Sequence, residues 1–456
     1  MKGIEKMVPF SFMPSRRRWA SLLRAATASL LLFVPGTVGG QTPPAATGVS
    51  TPLILTLQKA LEYAKANSQQ FQTAVLATQL AHEDRRQASA ALLPTVNSFN
   101  QYIYTQPNGT AGWVYVSNDG VHVYNIQANV HEELSPTMLA EYRQAKLADA
   151  LAQARQEVAA RGMVAAVVQA FYGAVVAQRR MGNARLAEDD ARRLADITQK
   201  REQAGEAAHS DTIKAQLVLQ QAQREARDSQ LEVVKAKLGL VVLLFPNYLQ
   251  DFQLADDLQN VDPLTPFEDV ERLAAAKNPD LRAAELALQQ EKAGISQARA
   301  GYMPNLSFDY FYGINANQLA VSVDGAQQLG SSAQVTLNIP IWNWGVTRSK
   351  VVQAQLKARQ AQLDLNLAQR QAMANLQSFY REAQTALAQV DSLKQSSEMS
   401  AESLRLTLLQ YEEGEATILE VVDAQNTLVQ ARNAYDNGLA RYRLALANLQ
   451  TLTGVL

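Results

Sequence analysis

Residues 411–428 read Tyr411-Glu412-Glu413-Gly414-Glu415-Ala416-Thr417-Ile418-Leu419-Glu420-Val421-Val422-Asp423-Ala424-Gln425-Asn426-Thr427-Leu428. Two parts of this stretch have occurred before, 209 residues upstream: Gly414-Glu415-Ala416 matches Gly205-Glu206-Ala207, and Ala424-Gln425-x-x-Leu428 matches Ala215-Gln216-x-x-Leu219. Further back, Gln377-Ser378-Phe379-Tyr380 repeats Gln169-Ala170-Phe171-Tyr172, and Met303-Pro304 repeats Leu93-Pro94. Four landmarks in one order at nearly one spacing mark an internal duplication, whose unit is about 200 residues long. The copies meet between Phe245 and Pro266, where Pro246, Pro263 and Pro266 interrupt the helical pattern.

Each unit has the same internal order. An opening helix is expected from about Leu57 to Leu92, ended by Pro94, because the residue before a proline is pushed out of the helical region. Its counterpart runs from about Pro266 to Tyr302, with a break near Asn278-Pro279. After each proline the period changes to 2: Leu306, Phe308, Tyr310 and Tyr312 alternate with Ser307, Asp309, Phe311 and Gly313. A second strand follows in each unit, Tyr124, Ile126, Ala128 and Val130 in the first and Val335, Leu337 and Ile339 in the second alternating with polar residues. The loops between strands, about Gln106 to Gly120 and Gln318 to Gly330, are rich in Gly, Asn and Ser. The helical period then returns without a breaker from Pro136 to about Gln203 and from Gly345 to about Glu412, roughly 100 Å of helix each at 1.5 Å per residue. Each long helix turns at a glycine, Gly205 or Gly414, and comes back from about His209 to Phe245 or Thr417 to Thr453. Small residues such as Ala145, Ala148, Ala152 and Ala159 give the long helix a stripe along which neighbours pack closely.

The chain has 456 residues, a formal net charge of -1 and no cysteine. Near neutrality leaves no electrostatic footprint for nucleic acid. The absence of cysteine removes disulfides, thiol nucleophiles and a lipidated amino-terminal cysteine. Arg16, Arg17, Arg18 and Arg24 precede an apolar run from Ala25 to Val34, then Pro35 and small residues through Gly40, the layout of a secretory signal peptide cleaved near Gly40. The uncharged run Gly162 to Gln178 is rich in Ala and Gly and passes into charged helix on both sides, so it reads as a buried packing segment. Beyond the signal no transmembrane helix is expected.

The layout is therefore a signal peptide (1–40), an amino-terminal segment (41–56), a first repeat (57–245) with strands at about 95–131, a linker (246–266), and a second repeat (267–456) with strands at about 305–341. About ten alternating residues with one apolar, aromatic face is the length and pattern of an outer-membrane strand. Four such strands fall short of the roughly eight of the smallest barrels, and an open edge in lipid leaves hydrogen bonds unmade. The chain must oligomerise, and three copies would supply about twelve strands.

Catalytic motifs are missing. His131-Glu132 and His82-Glu83 begin like a zinc-protease helix, but the second histidine is replaced by Ser135 and Arg86. His209-Ser210-Asp211 are three consecutive residues and cannot normally set up a nucleophile relay. With no P-loop either, the sequence offers no catalytic residues, no cofactor and no metal site.

The tip sequence Tyr411-x-x-Gly414 followed by acidic residues, the ending Leu449-Gln-Thr-Leu-Thr-Gly454, and the placement of Pro94 and Pro304 at helix-to-strand transitions together resemble the TolC-like outer-membrane efflux proteins. The similarity runs over essentially the whole mature chain. It implies a mainly α fold with membrane β: long antiparallel coiled-coil helices plus four transmembrane strands per chain. In the homotrimer these form a twelve-stranded barrel in outer-membrane lipid, continued by a periplasmic α-helical barrel. The implied activity is a passive export duct of a tripartite efflux or type I secretion system, opened at its periplasmic tip by an adaptor protein and an inner-membrane pump. Glu420 and Asp423 fall where family members place an acidic gate. Asp211 matches an aspartate that in relatives bonds the tyrosine matched by Tyr411, latching one hairpin to the other. Where some relatives carry an arginine after the tip glycine this chain has Ala416, so that the latch is either weaker here or held by other residues such as Lys214 or Arg201. The competing reading is a soluble periplasmic coiled-coil or adaptor-like protein, which would leave the four alternating segments unexplained.

Overall fold

The computed structural model describes residues 53–105, 122–247, 252–260, 262–323 and 325–454. The expected signal peptide, most of the amino-terminal segment and the first inter-strand loop lie outside them. The first repeat comprises β1 (Leu53–Leu55), α1 (Leu57–Asn67), α2 (Gln69–Ala90), β2 (Thr95–Tyr104), β3 (His122–Leu134), α3 (Pro136–Gln203) and α4 (His209–Leu244). The joining segment carries β4 (Phe252–Leu254), and the second repeat comprises α5 (Phe267–Lys277), α6 (Pro279–Ala300), β5 (Asn305–Ala316), the short strands β6 (Ser322–Val323) and β7 (Ala326–Gln327), β8 (Leu329–Asn338), α7 (Val346–Glu413) and α8 (Ile418–Thr453).

Helices of 11, 22, 68 and 36 residues appear in that order in both repeats. The opening helix of the first repeat is not continuous to Leu92. It breaks at Ser68, whose extended backbone (ψ 115°) ends α1 and whose hydroxyl caps Phe71 N at the start of α2. Asn278 does the same in the second repeat, accepting from Asp280 N and Leu281 N ahead of Pro279 at the first helical position. The pair Asn67-Ser68 was the available signal for the first break. The inter-strand loop of the second repeat also carries its own small β6–β7 hairpin.

The main sheet has the order β2-β3-β5-β8, antiparallel throughout, so β3 and β5 join the two repeats and β2 and β8 are edges. The register keeps the alternation in phase across all four strands. Val96 lies opposite Val130, Val130 opposite Tyr310 and Tyr310 opposite Ala333, while Asn97 pairs with Asn129, Asn129 with Phe311 and Phe311 with Ser332. Period 2 then places Tyr102, Tyr124, Ile126, Phe308, Tyr312 and Leu337 on the first face and Gln101, Asn125, Gln127, Ser307, Gln334 and Thr336 on the second.

Towards the sheet, α3 packs against α2 and α6, and α6 against α7; towards the turns, α3 packs against α4 and α8, and α8 against α7. The alanine stripe of α3 is only partly buried, because the helix has neighbours on two flanks; Ala140, Asp149, Leu151 and Ala154 are the covered residues at that level. The uncharged run of α3 lies in the largest core, where Val167, Phe171, Tyr172, Ala174 and Val175 pack with Leu240, Leu244, Phe252 and Leu439.

The segment joining the repeats is folded onto this core. β4 pairs in parallel with β1, and Phe252 and Leu258 are buried. Arg179 of α3 reaches both Asp256 of the joining segment, at 2.6 and 2.8 Å, and Asp436 of α8, at 2.8 Å. Burial works against the Arg179 charge, but the bonds to Asp256 and Asp436 outweigh it and hold the guanidinium above its ordinary range. One side chain thus ties together the two repeats and the segment between them.

Candidate functional site: the helical tips

The four long helices end in two turns that lie side by side. In the first, α3 stops at Ala204, Gly205 takes φ +79° and α4 starts at His209. Glu202 closes this turn on His209 (2.7 Å). The neighbouring Thr212 hydroxyl and the bond from His209 hold the Glu202 carboxyl below its ordinary value. In the second, Gly414 takes φ +83° as the left-handed cap of α7, its N–H donating to Tyr411 O and that of Glu415 to Gln410 O. Thr417 then opens α8 with a reciprocal capping box: its hydroxyl accepts from Glu420 N at 3.4 Å, and the Glu420 carboxylate accepts from Thr417 N at 2.7 Å. The first turn is one residue longer than the second, which changes the repeat offset from 210 at α3 and α7 to 209 at α4 and α8.

A core of Leu194, Ala215, Leu404, Tyr411, Ile418, Val421 and Leu428 holds the turns together. Inside it the buried Tyr411 hydroxyl lies 2.9 Å from Thr198 Oγ1. Thr198 also bonds Leu194 O at 2.8 Å, and since its single proton is used there, the tyrosine O–H is the donor to Thr198. Arg201, in the last turn of α3, donates to Tyr411 O, places its guanidinium 5.0 Å from the Tyr411 ring centroid and lies 3.7 Å from the Glu206 carboxylate. It thereby binds a carbonyl at the carboxyl end of α7, where the helix dipole favours a cation. A side chain at Gly414 would meet Arg201 at 3.2 Å, a second reason for glycine besides its φ.

Asp211 lines the same cavity as Tyr411, Arg201 and Lys214, about 340 Å3 in volume. Its carboxylate faces Lys214 at 3.5 Å, while the tyrosine hydroxyl goes to Thr198. The protomer thus joins its hairpins through Thr198–Tyr411 and Arg201–Tyr411. Arg201 was one of the two cations that the sequence offered in place of Ala416; Thr198 carried no signal of its own. Glu420 and Asp423 are both exposed on α8, three residues apart, with Val421 and Gln425 turned inward. Pro94 and Pro304 stand immediately before β2 and β5.

A duplicated unit with four antiparallel strands at one end of long helical hairpins and interlocked turns at the other defines a class, the channel-tunnel proteins. The chain belongs to the outer membrane efflux protein family, whose model matches residues 60–244 and 271–455, one match per repeat. It is 23% identical over 404 residues to the alkaline protease secretion protein AprF of Pseudomonas aeruginosa, covering 86% of this chain and 82% of AprF. With outer membrane protein OprJ of the same organism it shares 28% over 300 residues, 63% of this chain and 60% of OprJ, so that alignment spans under two thirds of the relative's length. The outer membrane channel CmeC of Campylobacter jejuni has the same fold, with a TM-score of 0.77 at 18% identity over 88% of this chain and 85% of CmeC. The protein is an outer-membrane protein of this family, with a duplicated, mainly helical architecture.

Proposed function

We propose that three copies of this chain close into a twelve-stranded outer-membrane barrel and a continuous helical barrel, forming a passive export duct for a tripartite efflux or type I secretion system. The observation that carries this reading is that every level of the protomer leaves open two edges, one ending in α7 or the strand before it. The sheet is open at β2 and β8, the upper helices at α2 and α7, and the lower helices at α4 and α7. These edges expose apolar side chains: Leu76 and Leu80 on α2, Leu217 and Val242 on α4, Leu356 and Leu363 on α7. Laid head to tail, the β2, α2 and α4 edge of one copy covers the β8 and α7 edge of the next, and such a contact repeats around a closed ring.

The two faces of the sheet support the membrane part. Tyr102, Phe308, Tyr312 and Val335 are exposed on the apolar face, which suits lipid, while the amide and hydroxyl face suits a water-filled lumen. Below the strands Trp342 and Trp344 are 76% and 87% exposed, where aromatic residues border a bilayer. A soluble coiled-coil protein would have no use for such a surface.

The tips then act as the periplasmic gate. Thr198–Tyr411 and Arg201–Tyr411 hold the hairpins of one protomer together, Asp211 lends its charge to the same cavity, and Glu420 and Asp423 form rings of like charge that attract cations and resist over-tight closure. An adaptor and an inner-membrane pump supply the opening. Native mass spectrometry of the detergent-purified protein tests the assembly: a trimer is expected, and a monomer or dimer that needs no detergent would sink the duct.

A further inference from the structure

The polar face of the sheet is almost free of charge. Along β2, β3, β5 and β8 its residues are Asn, Gln, Ser, Thr, Gly and a few apolar side chains, and the ionisable exceptions are His131, Glu133 and Asp309. All three sit in one narrow band. His131 pairs directly with Asp309 across the β3–β5 register, with Nδ1 2.7 Å from the carboxylate, and Glu133 lies one place further along the same face, opposite Ser307. Asn129 donates to Asp309 at 3.5 Å and Asn305 to Glu133 at 3.0 Å. From β2 the facing residues are Thr95 and Asn97, and from β8 Gln334 and Thr336, so the imidazole of His131 is the one basic side chain beside the carboxylates on this face of the described strands. The band adjoins Ser135-Pro136 and Pro304, where strands become helices.

We infer that His131, Glu133 and Asp309 form a second charge-selective ring, at the throat between barrel and helical tunnel, which favours cationic solutes independently of the acids at the tip. The inference rests on the trimeric duct proposed above. In that trimer the band places two carboxylates from every protomer around one level of an otherwise uncharged sheet face, each set braced by its histidine and by amide donors. Rings of fixed carboxylates in a pore raise the local concentration of cations. The length of α3 separates throat from tip by roughly 100 Å, many times the ~8–10 Å over which salt screens a charge, so the two rings act separately.

The test is the reversal potential of the purified protein in planar bilayers under a KCl gradient. Asp309→Asn with Glu133→Gln, which keeps size and hydrogen bonding, is expected to lower the cation-to-anion permeability ratio at least about twofold. The decrease should be equal in a Glu420→Gln/Asp423→Asn background. Because the natural chain has no cysteine, Ser307→Cys supplies an independent arm that does not depend on folding a charge variant. A cationic methanethiosulfonate added from the barrel side to the assembled channel should lower the ratio, and an anionic reagent should raise it. Conducting channels whose ratio is unmoved by both the double substitution and confirmed modification of the thiol in the Ser307→Cys variant would overturn the throat ring alone. A wild-type trimer that never conducts would overturn the duct and the ring together.

Discussion

The hydroxyl of Tyr411 on α7 lies 2.9 Å from that of Thr198 on α3, a bond between the two repeats formed by residues 213 positions apart in the chain. Both side chains are buried, and the bond sits one turn inside the tips. It joins the hairpin ends at the point where they would have to part for the gate to open.

Removing that bond is expected to loosen the closed state without unfolding it. Tyr411→Phe leaves Thr198 bonded to Leu194 O and costs about 1 kcal/mol, the usual net value of a hydrogen bond. Resting single-channel conductance should rise, and Thr198→Val should do the same. Asp211→Ala should have a smaller effect, since its carboxylate meets Lys214 in the protomer. If Asp211→Ala raised conductance and Tyr411→Phe did not, the Thr198 bond would not be the latch.

Arg201→Ala should loosen the tips more than either hydroxyl substitution. It removes the bond to Tyr411 O, the stacking on the Tyr411 ring and the attraction to Glu206 in one step, on the order of 2 kcal/mol together. Arg201→Lys should restore only part, because an ammonium cannot present the planar fork. Conductance at rest and the pump-independent leak of a small dye across the outer membrane are the readouts.

The gate acids call for substitutions that preserve the helix start. Glu420 closes the capping box of α8, so Glu420→Ala would confuse lost charge with a lost cap, worth about 1 kcal/mol. Glu420→Gln keeps a capping oxygen, and combined with Asp423→Asn it should reduce cation selectivity in planar bilayers with little change in thermal stability. Unchanged selectivity would remove these residues from the gate.

Arg179→Ala should destabilise the junction of the two repeats by on the order of 2 kcal/mol, since it leaves the largely buried Asp436 carboxylate without its cationic partner, the bond from Asn183 remaining. Asp436→Asn in the same background should recover part of the loss. Thermal unfolding in detergent and the protease sensitivity of the segment between the repeats will report both.

Asp190 supplies a test with a defined pH sign. Burial raises its carboxyl above the ordinary value, against the opposing pull of Arg432 and Arg193. A carboxyl raised on folding stabilises the native state below its unfolded pKa of about 3.9, and that contribution is lost as pH rises through the folded value. Asp190→Asn should therefore raise the melting temperature at pH 7 and give progressively less advantage as the pH is lowered towards 4.

The repeat, the two glycine turns, the long helices from Pro136 and towards Glu413 and the alternation within each strand were all legible in the sequence. They rest on local rules: a period of 3.6 or 2, a proline that ends a helix, a glycine that accepts positive φ. The break at Ser68 obeys the same rules but escaped the sequence reading, because the neighbours of this capping residue otherwise continue the helical pattern. What tertiary structure decided is every pairing between distant residues. That Tyr411 meets Thr198 instead of Asp211, that Arg179 binds Asp256 and Asp436 together, and that His131 faces Asp309 across β3 and β5 all depend on how long helices are rotated against one another and how strands are registered. Rotating a helix by one residue moves a side chain about 100° around its axis, and a one-residue slip of a strand sends it to the opposite face. Periodicity along the chain sets which residues share a face, but only packing of the whole core sets what that face touches.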